Sequence, residues 1–209
     1  TILLLTIGVF AVPLLSFADW QQLTPAGAPG NKDGPFFDYD EESQQVIMFG
    51  DHAVTYTNQT WAFDVNTNNW TQMFPASPPS ARAHGQYAYD SESDRMIIFG
   101  GQLASGTAGD TWAYDYNTNT WTNMNPSNPP IARWDGRAVY DSAHDRVLMY
   151  GGSYYLEDIL WSYNYNTNTW ENRNATMSTS CLANRPASTQ AQAMAYDSLN
   201  DKTIMSSRN

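Results

Sequence analysis

Tryptophan recurs at a fixed interval. Trp20, Trp70, Trp121 and Trp170 stand 50, 51 and 49 residues apart, and nine residues before each of the last three stands another, Trp61, Trp112 and Trp161. Self-similarity at such a period marks an architecture in which each unit buries its hydrophobic face against the next. Between the paired tryptophans the text is nearly constant: Phe63-Asp64-Val65-Asn66-Thr67-Asn68-Asn69-Trp70, Tyr114-Asp115-Tyr116-Asn117-Thr118-Asn119-Thr120-Trp121, and Tyr163-Asn164-Tyr165-Asn166-Thr167-Asn168-Thr169-Trp170. Bulky residues on either side of an Asn/Thr cluster predict two strands and a tight turn, because Asn tolerates left-handed backbone and bonds nearby main chain.

The first half of each unit predicts a second hairpin. Tyr39-Asp40, Tyr89-Asp90, Tyr140-Asp141 and Tyr196-Asp197 each end a strand, and a polar turn follows. The next strands are apolar: Val46 to Gly50, Met96 to Gly101 and Val147 to Gly152. A continuous apolar run of this length fits a strand buried on both faces. Each unit is therefore four antiparallel strands, and no helical pattern follows residue 19. Composition agrees: aromatics make 14% and charged residues 15% of the 209, which excludes disorder and coiled coil.

Four-stranded units at this period are what propeller blades require. The double glycine after an aromatic (Phe99-Gly100-Gly101, Tyr150-Gly151-Gly152), the paired tryptophans beyond it, and Arg82-Ala83-His84 ahead of the second unit together resemble the kelch repeat. The resemblance covers residues 20 to about 205. It implies an all-β propeller of four-stranded antiparallel blades, with repeats at about 20–70, 70–121 and 121–170 and a partial one at 170–209. The ring is expected to be incomplete, with Trp20 as a last strand lacking its own blade. Open blade edges would then favour self-association. The repeats depart from the pattern at Gly50-Asp51, where two glycines are expected, at Lys32 in the arginine place, and at Arg133-Trp134-Asp135 in place of Arg-x-His. The fourth carries extra residues around Ser178 to Pro186.

Residues 2–17 are apolar and uncharged, and the small residues Ser16 and Ala18 suit signal cleavage before Asp19. Residues 1–18 are thus read as a secretory signal or an uncleaved N-terminal anchor, the chain's one expected link to a membrane, placing the rest outside the cell, in the periplasm or at the surface. Both ends read as truncated. A net charge of −11 argues against nucleic acid as a partner. The single Cys181 excludes an internal disulfide framework.

The acidic turns, Asp38 to Glu42 and Asp90 to Asp94, could ligate a cation. Their recurrence as Asp141 to Asp145 and Asp197 to Asp201 favours hairpin closure by Asp instead. His52, His84 and His144 show no metal-ligand spacing, so no metal site and no cofactor is expected. Secreted kelch-like chains are often likened to galactose oxidase, but nothing arranges tyrosines and histidines around Cys181 for copper. No nucleophile elbow or phosphate loop occurs either, so catalysis is not expected.

Binding is the positive expectation. In a propeller the inter-blade loops and the loops between second and third strands share one face, and here they vary most between repeats. Candidate contacts are Arg82, His84, Arg133, Trp134, Asp135, Tyr154, Tyr155, Glu157 and Asp158. By the resemblance, rim arginines would pair with acidic ligand groups, and Tyr154 and Tyr155 could stack on a sugar or anchor a peptide. For Arg82 and Arg133 the competing role is orienting the blade junction, and the paired tryptophans are read as fillers between blades. The expected function is a binding module for protein or glycan. The alternatives are a scaffold within a larger surface protein, or a fragment of a secreted galactose-oxidase-like enzyme.

Overall fold

In the computed structural model, residues 23–152, 159–176 and 193–206 are described. Their strands form successive four-stranded antiparallel sheets. The first is β1 (Phe36–Asp40), β2 (Gln45–Asp51), β3 (Thr57–Asp64) and β4 (Asn69–Met73). The second runs β5 (Gln86–Asp90), β6 (Arg95–Phe99), β9 (Thr111–Asp115) and β10 (Thr120–Asn123). Between β6 and β9 lies a small ladder, β7 (Gln102–Leu103) with β8 (Gly106–Thr107). The third is β11 (Gly136–Asp141), β12 (Arg146–Gly151), β13 (Trp161–Asn164) and β14 (Thr169–Asn172). A short 3-10 turn, Arg173–Thr176, precedes the final hairpin, β15 (Ala193–Asp197) with β16 (Lys202–Ser206). The first strands β1, β5, β11 and β15 neighbour one another in turn, so they face the axis of a propeller. The described blades do not close a ring. The apolar segment 2–17, Trp20 and Cys181 lie outside the described residues.

Both hairpins of a blade use one turn chemistry. A carboxylate or amide ends the incoming strand and accepts amides from the turn: Asp40 from Ser43 (2.9 Å), Asp90 from Ser93 (3.1 Å), Asp115 from Thr118 (3.1 Å), Asn164 from Thr167 (2.8 Å). The residue closing each turn is left-handed, with φ of 48–58° at Asn68, Asp94, Asn119, Asp145, Asn168 and Asp201. Tyrosine locks that residue from five positions back: Tyr89 donates to Asp94, Tyr140 to Asp145, Tyr114 to Asn119 and Tyr163 to Asn168, each at 2.9 Å. The recurrent acidic turns are thus closed by their own carboxylates.

The core lies between blades. Phe36, Ile47, Phe49 and Ala62 of the first blade pack on Met96, Ile98, Tyr114 and Trp121 of the second. Ala88, Ile97, Phe99 and Ala113 then meet Val147, Met149, Tyr163 and Trp170 of the third. Trp121 sits 4.8 Å from Phe49 and Trp170 5.2 Å from Phe99, centroid to centroid. Each indole N–H crosses to a buried threonine of the preceding blade, Trp121 to Thr60 and Trp170 to Thr111, both at 3.0 Å. Burying an indole N–H without an acceptor is costly, which explains threonine at both places. The other set divides from these: Trp61, Trp112 and Trp161, on the third strands, are only half-buried. Trp61 bonds Gln59 (3.2 Å) and Trp112 bonds Asp110 (2.7 Å), while the rings of Trp112 and Trp161 pack at the margin of the two inter-blade cores, so the filler role holds there in a half-buried form.

Candidate functional site

Three matched triplets, Lys32-Asp33-Gly34, Arg82-Ala83-His84 and Arg133-Trp134-Asp135, lead into the innermost strands β1, β5 and β11. Their main chain links the blades. His84 donates its amide to the Gly34 carbonyl (2.6 Å), and Asp135 donates to the His84 carbonyl (2.7 Å). The carbonyl of Arg82 accepts from Asp51 (3.0 Å), and that of Arg133 accepts from Gly101 (2.9 Å). Gly100 is required at this junction: its φ is +67°, and a Cβ would collide with the Arg133 carbonyl oxygen. Ala83 and Gln102 exchange both amide bonds, at 3.1 and 2.7 Å, which docks the β7–β8 hairpin to the junction.

The arginine at the head of the second triplet is buried, 1% exposed. Its guanidinium gives all its donors to the blade: Nε to the Ser80 carbonyl (2.9 Å), one terminal nitrogen to Gly100 O (3.1 Å) and Asp110 (2.5 Å), the other to Ser80 Oγ (3.1 Å) and Asp110 (3.0 Å). A planar fork against a carboxylate is the arrangement arginine alone supplies. Arg133 repeats the pattern, with bonds to Ile131 O (3.1 Å) and Gly151 O (3.3 Å). In this geometry both arginines tie the junction and lie beneath the face. Lys32 reaches Asp51 (3.3 Å), and Asp51 also accepts the amides of Asp33 (2.8 Å) and Ala53 (2.9 Å). Burial opposes ionisation of Asp51, but those amides and the Lys32 ammonium hold its pKa below the usual carboxylate range. Asp51 thus does with a side chain what the second glycine allows the backbone to do in the other blades.

Ala83 is buried, so the accessible layer is built from Asp33, Gly34, His84, Trp134 and Asp135 and the β2–β3 loop. His84 lies edge-on to Trp134 (6.0 Å between centroids), with Nδ1 3.6 Å from Asp135 and Nε2 3.9 Å from Asp33. His52 stacks on Tyr56 at 4.0 Å and 13°. Tyr56 and Trp134 flank a cleft of about 430 Å³ whose floor includes Gln102, Leu103 and Thr107. Of the expected contacts, His84, Trp134 and Asp135 therefore meet on one face, while Tyr154, Tyr155, Glu157 and Asp158 lie outside the described residues. Tyr56, Asp33 and His52 carry no motif and become visible as site residues only when the blades are assembled.

A second hollow, about 420 Å³, lies between the innermost strands and is bordered by Asp38, Tyr87, Arg137, Tyr140 and Tyr196. Asp38 bridges blades there by accepting the Tyr89 amide (2.7 Å). Burial raises its pKa against the pull of the Tyr39 and Tyr89 amides.

Four-stranded antiparallel blades, stacked through aromatic cores with their first strands toward an axis, define the chain as a β-propeller protein. The family model of the KLHDC2/KLHL20/DRC7 Kelch-repeats domain matches residues 14–200, and the chain belongs to the kelch-repeat family. Kelch-repeat domains are generally non-catalytic modules that bind proteins. A comparison with curated proteins finds no match.

Proposed function

We propose that the chain is a non-catalytic recognition module that takes a segment of a protein partner on the face carrying Tyr56, His84, Trp134 and Asp135. The observation that carries this reading is the cleft between the Tyr56 and Trp134 rings, set where loops of successive blades converge. Paired aromatics around a concave surface are the usual anchors of an interface, since they bury much area at little entropic cost. The frame beneath is rigid, because Arg82 and Arg133 cross-brace it, so binding costs little reorganisation. Tyr154, Tyr155, Glu157 and Asp158, which fall at the corresponding place in the third repeat of the sequence, are proposed as further contacts. A second reading, glycan binding, draws on the same rings beside the amide of Gln102 and the hydroxyl of Thr107. The apolar residues 2–17 extend the proposal to an exported or surface-held module, with the propeller as scaffold for further domains as the alternative.

The test is selection of binders from a peptide-display library and a glycan array on the same preparation, repeated with Tyr56→Ala and Trp134→Ala. Binders that lose about tenfold or more affinity with either change, at unchanged unfolding midpoint, support this face. Binders indifferent to both place recognition elsewhere.

A further inference from the structure

The loop chemistry at the junction of the first two blades differs from that at the next. Asp33 and Gly34 occupy the places of Ala83 and His84, and of Trp134 and Asp135, while His52 follows Asp51 where Gln102 follows Gly101. Among the described residues, only the first junction brings two imidazoles and a carboxylate together. One donor atom from each of Asp33, His52 and His84 lies within 4.8 Å of the other two. The main chain needs none of these side chains, since it bonds through amides and carbonyls.

We propose that Asp33, His52 and His84 bind a divalent transition-metal ion of the zinc class. Two imidazoles and one carboxylate are a donor set that suits zinc and its neighbours. In a tetrahedral site with bonds of about 2.0–2.2 Å the donors would stand roughly 3.4 Å apart. The 3.9 Å between His84 Nε2 and Asp33 Oδ2 shortens to that with a small rotation of Asp33, whose side chain is 63% exposed. The supports are in place. His52 donates its backbone amide to the Asp33 carbonyl (3.0 Å), and Asp51 holds the amides on either side of the pair, those of Asp33 and Ala53. The Lys32 ammonium, which would repel a cation, faces Asp51.

His84 presents Nε2 to Asp33 and turns Nδ1 toward Asp135, the arrangement in which an outer carboxylate orients a ligating imidazole. Gly34 leaves the room for that ring, because a Cβ there would overlap it. Three protein ligands leave a further position open on the recognition face. The other clusters lack this chemistry. His144 is bonded to both oxygens of Asp141 (3.1 Å) inside a turn, and Asp90, Glu92 and Asp145 offer carboxylates alone.

The experiment is titration of the chelator-stripped full chain with Zn²⁺ by calorimetry, with Co²⁺ as a second probe read by visible absorption. One ion per chain is expected. His52→Gln and His84→Asn should each lower affinity by about tenfold or more. His144→Gln should leave it unchanged. Asn suits the left-handed backbone at position 84 (φ 59°), and His52 stands on a loop, so circular dichroism of the metal-free variants should match the parent. No saturable binding to the parent chain would overturn the assignment. So would binding that survives both substitutions at the first junction, or binding that disappears with His144→Gln.

Discussion

Replacing Arg82 by Met isolates the guanidinium, because the flexible apolar side chain keeps most of the packing of the stem. The change removes every bond that Arg82 makes to Ser80, Gly100 and Asp110. The Gly100 carbonyl loses a buried donor, and Asp110 keeps the Trp112 indole at 2.7 Å and its own backbone amide. Breaking a buried pair from one side costs about 3–5 kcal/mol. Asp110 is 34% exposed on its side chain and can regain water, so the lower end applies, about 3 kcal/mol. Arg82→Lys should recover only part of this, since a single ammonium cannot make the fork. The assay is urea unfolding followed by tryptophan emission.

Its pH dependence supplies an independent sign. Burial opposes ionisation of Asp110, but the Arg82 and Trp112 bonds prevail and lower its pKa. The unfolded chain therefore takes up this proton at higher pH than the folded one. The contribution is fully present above the unfolded carboxylate value, about 3.9, and is lost as pH falls through the lower folded value. Arg82→Met should make that acid loss shallower. A cost below about 1 kcal/mol with an unchanged acid limb would refute the bracing role. Loss of a partner at unchanged stability would return Arg82 to the rim.

The aromatic cores and turns give further expectations. Thr111→Val strands the buried Trp170 N–H and should cost about 1–3 kcal/mol in the same assay, with Thr60→Val acting alike on Trp121. Gly100→Ala should cost more than the roughly 1–2 kcal/mol of a left-handed alanine, because its Cβ also strikes the Arg133 carbonyl; a smaller loss in unfolding free energy would show that the junction can yield. Asn168 accepts from Tyr163 and donates to Met124 O (2.7 Å) at φ 50°; Asn168→Ala should therefore lower the thermal midpoint more than Asn168→Gly, which keeps the backbone freedom.

What the sequence disclosed followed from periodicity. Each blade repeats the same local demands, so Tyr-Asp and Asn-Thr clusters announce hairpins wherever they recur, and Trp121 and Trp170 announce a core between blades. What it concealed depends on neighbours across a junction. Trp61 and Trp112 look equivalent to the buried tryptophans by spacing, yet they stay half-buried, with their indole N–H groups held by Gln59 and Asp110 of their own segments. The β7–β8 hairpin is local, but its docking through the Gln102–Ala83 bridge to the inter-blade segment is a contact no local pattern encodes. Asp33, His52 and His84 escape a search for ligand spacing for the same reason: the junction of two blades, not a helix or a hairpin, brings them together.

The division of labour at the junction explains how one frame can carry a varied face. Bonds between blades run through the amides and carbonyls of Gly34, His84 and Asp135 and through the carbonyls of Arg82 and Arg133. Backbone groups are the same whatever the side chain, so the middle and last triplet positions are released from the work of holding the blades. The last position carries one restriction, a left-handed backbone with φ of 57–61°, and it is met by glycine, histidine and aspartate in turn. Aspartate and histidine are enriched among the non-glycine residues that accept that conformation. They also carry ionisable or ligating atoms, so the geometry that closes the junction favours chemically capable side chains at the face. The middle position, Asp33, Ala83 or Trp134, has no such restriction and varies from charged to small to aromatic. Recognition in this chain is therefore expected to follow the accessible middle residues Asp33 and Trp134, the last positions and the loops between second and third strands, while buried Ala83 and the arginines hold the register from below.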